Sequence, residues 1–76
     1  MVVITTDSSY VNAVRDGIAW AEALSIGDTF LGAMEAAKDY GYKRGSVENR
    51  LFVAAALGHL PSAITIDGEG RIIALD

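Results

Sequence analysis

Lys38, Lys43, Arg44 and Arg50 are four of the six basic residues in the chain, and they fall in one short stretch with Ser46 and Asn49 among them. Guanidinium and ammonium groups gathered in this way hold phosphates. An arginine fork or an asparagine amide can also read a base edge in the major groove. The chemistry on offer is recognition of duplex DNA. Arg44, Ser46, Asn49 and Arg50 would face bases or phosphates, and Lys38 and Lys43 would face the backbone. Against Asp39 and Glu48, the four cations leave this stretch at +2. The rest of a chain of net charge −4 then stands at −6. Charges are screened over roughly 8–10 Å at physiological salt, so the local patch governs a contact more than the distant total.

Other chemistry is poorly supplied. Asp7 beside Ser8 and Ser9 could be an acid–nucleophile pair. The single histidine, His59, lies far away in sequence, and capping of a helix N-terminus accounts for the three residues more simply. With one histidine and no cysteine, a metal site lacks ligands. Asp67 and Glu69 share a segment with two glycines, but the remaining ligands of a calcium loop are missing, and Asp-Gly is the chemistry of a hairpin turn. No glycine-rich loop is placed to cradle phosphate, and no carboxylate pair is spaced for acid–base work. The expectation is no enzyme, no cofactor and no metal.

The chain has 76 residues, enough for one small domain over residues 1–76. A domain of this size buries only about 60–65% of its unfolded surface. Without cysteine, its stability must come from a well-packed core or from a partner. The hydrophobic fraction, 51%, is a little above the ordinary range and points to a homodimer. No apolar run approaches the ~18 residues of a membrane span, and no signal peptide opens the sequence. The expected location is cytoplasmic.

The elements that would position the basic stretch follow from periodicity. Residues 1–6 are rich in β-branched side chains and predict a strand. A first helix is predicted over residues 10–24. Val11, Val14, Ile18 and Ala21 form one stripe, and Tyr10, Ala13, Gly17, Trp20 and Leu24 form another. A second helix is predicted over residues 29–40, capped by Asp28 or Thr29, with Phe30, Met34 and Ala37 inward. A third runs from Arg44 or Ser46 to Leu57. Its line Val47, Leu51, Ala54, Gly58 is expected to face the other helices, and Gly45, Asn49, Phe52 and Ala56 to face outward. Gly58 and Pro61 end it. Residues 63–66 and 71–75 alternate as two strands joined through Asp67-Gly68-Glu69-Gly70.

Residues 36–51 resemble the helix-turn-helix of DNA-binding proteins, and the Fis-type pattern above all. Ala36, Ala37, Lys38, Gly41, Tyr42, Arg44, Ser46, Val47, Arg50 and Leu51 carry the resemblance. Two positions depart from the pattern. Tyr40 replaces the usual leucine before the glycine, and Lys43 stands where a serine usually caps the second helix. The resemblance implies that Gly41 pivots the turn and that the third helix recognises DNA. Three helices followed by a hairpin is also the layout of a winged helix. The expected fold class is α+β: strand, three helices, C-terminal hairpin, with the helices packed on a small antiparallel sheet. The expected function is a dimeric, transcription-regulatory DNA-binding module.

A second reading uses the same residues differently. The acidic remainder, the aromatics Tyr40 and Tyr42 at the turn, and the Phe52–Ala56 face suit a small acidic protein-interaction module. That module would be an adaptor or an inhibitor of the kind mobile elements encode. Tyr40, Tyr42, Phe52 and Ala56 would then form the interface. Burial of Phe52 within the protomer is what separates the two readings.

Overall fold

A computed structural model describes residues 8–76. Helix α1 spans Ser8–Glu22, α2 spans Ala33–Asp39 and α3 spans Val47–Leu57. Strands β1 (Ile64–Ile66) and β2 (Ile72–Leu75) pair antiparallel, so the class is α+β. The strand predicted over residues 1–6, and the cap Asp7, lie outside the described residues. No helix among the described residues is long and apolar enough to cross a membrane.

The core is built from small side chains around one large one. Ala13 and Ala21 of α1, Ala33, Ala36 and Ala37 of α2, and Ala56 of α3 are buried together with Phe52. Alanine lets helices approach closely, and the gap they leave is filled by the Phe52 ring. Trp20, Tyr40 and Tyr42 surround that ring, with centroids at 5.9, 5.1 and 6.0 Å. Tilted pairs at this spacing are the favoured arrangement of aromatic quadrupoles.

Three expectations require correction. The face of α3 is inverted: Asn49, Phe52 and Ala56 point inward, whereas Val47, Arg50, Ala54 and Leu57 are exposed. The run from Leu51 to Leu57 is apolar nearly all round, so periodicity sets no phase. The bulk of Phe52 sets it instead. Phe52, completely buried, is therefore core and not an interface residue, and Ala56 likewise.

The second helix starts at Ala33, not at Thr29. The intervening residues pair with the hairpin. The Gly27 amide donates to the Ile72 carbonyl at 2.8 Å, the Ile72 amide to Asp28 at 2.8 Å, and the Phe30 amide to Gly70 at 2.7 Å. Thr29 and Arg71 form an antiparallel bridge. Asp28 caps its own loop, accepting from the Ser25 amide at 2.8 Å.

The sheet, finally, does not lie under the helices. Among the described residues, α1 and α2 pack on α3 and on each other, and the strands pack on none of the helices. Strands of three and four residues offer too little apolar face to seat a helix. β2 instead sits between β1 and residues 27–30. A bulge at Ile73 separates the pairs Thr65–Ala74 and Ile66–Ile72.

Candidate nucleic-acid interface

The turn between α2 and α3 is fixed by backbone geometry. Gly41 follows the cap residue Tyr40 with φ +95°, a conformation open to glycine and strained for side-chain-bearing residues. Its amide donates to the Lys38 carbonyl at 2.9 Å, and the Tyr42 amide donates to Ala37 at 2.9 Å. This pair of bonds is a Schellman closure, which satisfies the last carbonyls of α2 and reverses the chain.

The start of α3 is equally defined. Ser46 is its N-cap: the Oγ accepts from the Asn49 amide at 3.1 Å and donates to the Lys43 carbonyl at 2.5 Å. The helix thus begins at Val47, three residues after Arg44, because serine caps well and Lys43 has no acceptor to offer.

Two further bonds tie the turn to the body. Asn49 is buried, and its amide Nδ2 donates to the Tyr42 carbonyl at 2.9 Å. The Tyr42 hydroxyl donates to Asp16 Oδ2 on α1 at 2.5 Å. That hydrogen bond is the main reason the Tyr42 pKa is pushed up to about 12. Burial adds to it, as does the negative charge of Asp16 and Glu48. A charge-assisted bond of this kind holds the turn rigidly against α1.

The predicted contact residues therefore divide. Lys43, Arg44 and Arg50 are exposed, and none has an ion-pair partner among the described residues. Lys38 is exposed at 3.4 Å from Glu35, one helical turn back. An exposed pair of this kind contributes little and exchanges readily. Ser46 spends its hydroxyl on the cap. Asn49 is withdrawn from any base edge, since its amide is committed to the turn and its side chain is covered. Of the expected interface aromatics, Tyr40 is half exposed, and Tyr42 is half-buried and bonded to Asp16.

Sequence reasoning missed the outward stripe of α3. Val47, Arg50, Ala54 and Leu57 recur at helical spacing, with Val47 and Leu57 about half or more exposed. No local signal marks it, because residues 51–57 are all apolar and the rotation of α3 is set by the packing of Phe52 against α1.

His59 at the end of α3 lies 3.4 Å from Glu22 at the end of α1. The hairpin tip is organised by Asp67, whose Oδ1 accepts from the amides of Glu69 and Arg71 at 2.8 and 3.0 Å. The Asp67 carboxylate thus builds the turn. No protein-family model, curated protein or solved structure matches the chain.

Proposed function

We propose that this protein is a winged helix-turn-helix module that binds duplex DNA as a transcription-regulatory homodimer. The observation that carries the reading is a glycine-pivoted α2–turn–α3 unit presenting Lys43, Arg44 and Arg50, all exposed and without counter-ions among the described residues. Support comes also from chain order. Three helices are followed by a hairpin, the layout that suggests a winged helix, and residues 27–30, between α1 and α2, pair with that hairpin. In this reading Arg50 contacts a base or phosphate from α3. Lys43 and Arg44 hold the backbone, with Lys38 behind them. Val47 and Ala54 suit thymine methyl groups. The hairpin tip carries Asp67 and Glu69 and stays away from phosphate.

The dimer reading draws on a mainly apolar groove of about 350 Å³ between α1 and α3, lined by Tyr10, Val11, Val14, Arg15 and Leu51. Two-fold symmetry then gives a palindromic site with half-sites about one helical turn apart. Concentration-dependent sedimentation, lost on Val14→Glu, tests this part.

The DNA test is titration into random-sequence duplex at low and at physiological salt. Binding should weaken with a slope of about −0.9 per phosphate contact in log–log form. An Arg44→Glu, Arg50→Glu double variant should abolish it. Absence of binding at low salt would sink the reading.

One observation favours the acidic protein-interaction module. Apart from Arg50, the exposed stripe of α3 is apolar, and Leu57 is 61% exposed. Capture of a protein partner, lost on Val47→Ser with Leu57→Ser and retained on Arg44→Glu, would establish it.

A further inference from the structure

A cleft lies between α1, the loop that follows it and the end of α2, formed by two adjoining hollows of about 360 and 300 Å³. Trp20, Thr29 and Tyr40 line both. Asp39 lines the first and Asp28 the second. Each volume falls at the lower end of small-molecule sites, which begin at roughly 300 Å³.

Trp20 and Tyr40 are the aromatic part of a lining that also includes Leu24, Leu31 and Ala36, and both are braced by neighbouring rings. Phe30 stacks on Trp20 at 5.8 Å with 15° between the planes, fixing the indole. Trp20 and Tyr40 both rest on the buried Phe52 ring. Every charge in the lining is negative, and no basic side chain lines either hollow. Asp28 is engaged with the Ser25 amide. Asp39 has no hydrogen-bond or ion-pair partner among the described residues. It also closes α2, where the carbonyl end of a helix already disfavours a negative charge.

An aromatic wall beside a free carboxylate is the chemistry that selects an organic cation. The ring quadrupoles attract the positive charge, and the carboxylate supplies its counter-ion. A bare metal ion is poorly served, since no three acidic or imidazole groups converge among the described residues. We propose that this cleft binds a small quaternary-ammonium molecule, seated on Trp20 and Tyr40 with its charge toward Asp39. The site uses none of Lys43, Arg44 and Arg50, so it stands whether or not the protein binds DNA.

Trp20 is the only tryptophan and reports on the cleft directly. The test titrates choline, and separately its uncharged carbon isostere dimethylbutanol, into the full chain. Trp20 emission and amide NMR shifts are followed together. The expected result is saturable choline binding, with shifts centred on the Trp20 indole N–H, Thr29, Gly32 and Asp39. The isostere should bind about tenfold more weakly or worse, as should choline to Asp39→Asn and to Tyr40→Leu. Asp67→Asn, at the hairpin tip, should bind as the wild type does. Failure of choline to saturate either signal would overturn the proposal. So would equal binding of the uncharged isostere, which needs no variant to fold.

Discussion

Gly17 of α1 faces the backbone of Phe52 in α3 so closely that a methyl group there would collide with the Phe52 carbonyl oxygen and stand 3.1 Å from its carbonyl carbon. The two helices come this close because Gly17 has no side chain and Phe52 presents its backbone at this point. In an ordinary helix interior, Gly→Ala stabilises by about 0.5–1 kcal/mol. Here the sign reverses. Gly17→Ala should cost ~1–3 kcal/mol, because the atoms it meets are backbone and cannot rotate away. Denaturant midpoints check this, with the exposed Ala19→Gly as a control that should lose about 1 kcal/mol.

The Tyr42–Asp16 bond makes stability fall in alkali. The Tyr42 pKa stands at about 12 in the folded protein against 10.0 ordinarily. The folded state therefore holds the phenolic proton more tightly than the unfolded chain does. The resulting stabilisation is complete below pH 10 and is lost as pH rises from 10 to 12. Tyr42→Phe should lose about 1.5–3 kcal/mol at neutral pH and show a shallower decline over that window. Urea melts across the pH series, read beside tyrosinate absorbance, give both quantities.

Asn49 and Arg50 are adjacent in sequence and should separate completely by experiment. Asn49→Ala removes a buried donor and leaves the Tyr42 carbonyl unmatched, at a cost of ~1–3 kcal/mol in stability. Arg50→Gln should leave stability within about 0.5 kcal/mol, as exposed substitutions do. In the DNA titration the pattern inverts. Arg50→Gln should lower the salt slope by roughly 1, whereas folded Asn49→Ala keeps it.

Ser46→Ala should cost about 1 kcal/mol through loss of the cap. Ser46→Asp should restore part of it, since a carboxylate also accepts from the Asn49 amide but cannot donate to the Lys43 carbonyl. Thermal melts of the three proteins decide the point.

Much of the turn was legible in advance. Gly41 is legible as the pivot because a reversing chain needs a residue that tolerates positive φ, and Ser46 as one of two possible starts of α3, though its place as the cap emerges only from the structure. The demand for a glycine at the turn is a local property. The face of α3 was not legible. Leu51 to Leu57 contains no polar residue to mark the solvent side, and only the fit of Phe52 against Gly17 fixes the rotation. The role of Asn49 went wrong with it. An amide reads equally well as a base contact or as a buried tether until its neighbours are known. The pairing of residues 27–30 with β2 was missed for a different reason. A single bridge at Thr29 has no periodicity to detect, and the Asp28-Thr29 pair imitates a helix cap.

That bridge joins residue 29 to residue 71 across more than half of the chain. The α2–α3 unit is built from near neighbours and can assemble quickly. The edge contributed by residues 27–30 must instead wait for the C-terminal hairpin, and closing so long a loop costs entropy before any bond rewards it. During synthesis the helices therefore emerge, and can pack, while this edge is still open. Gly70, Arg71 and Ile72 act as the closing stitch.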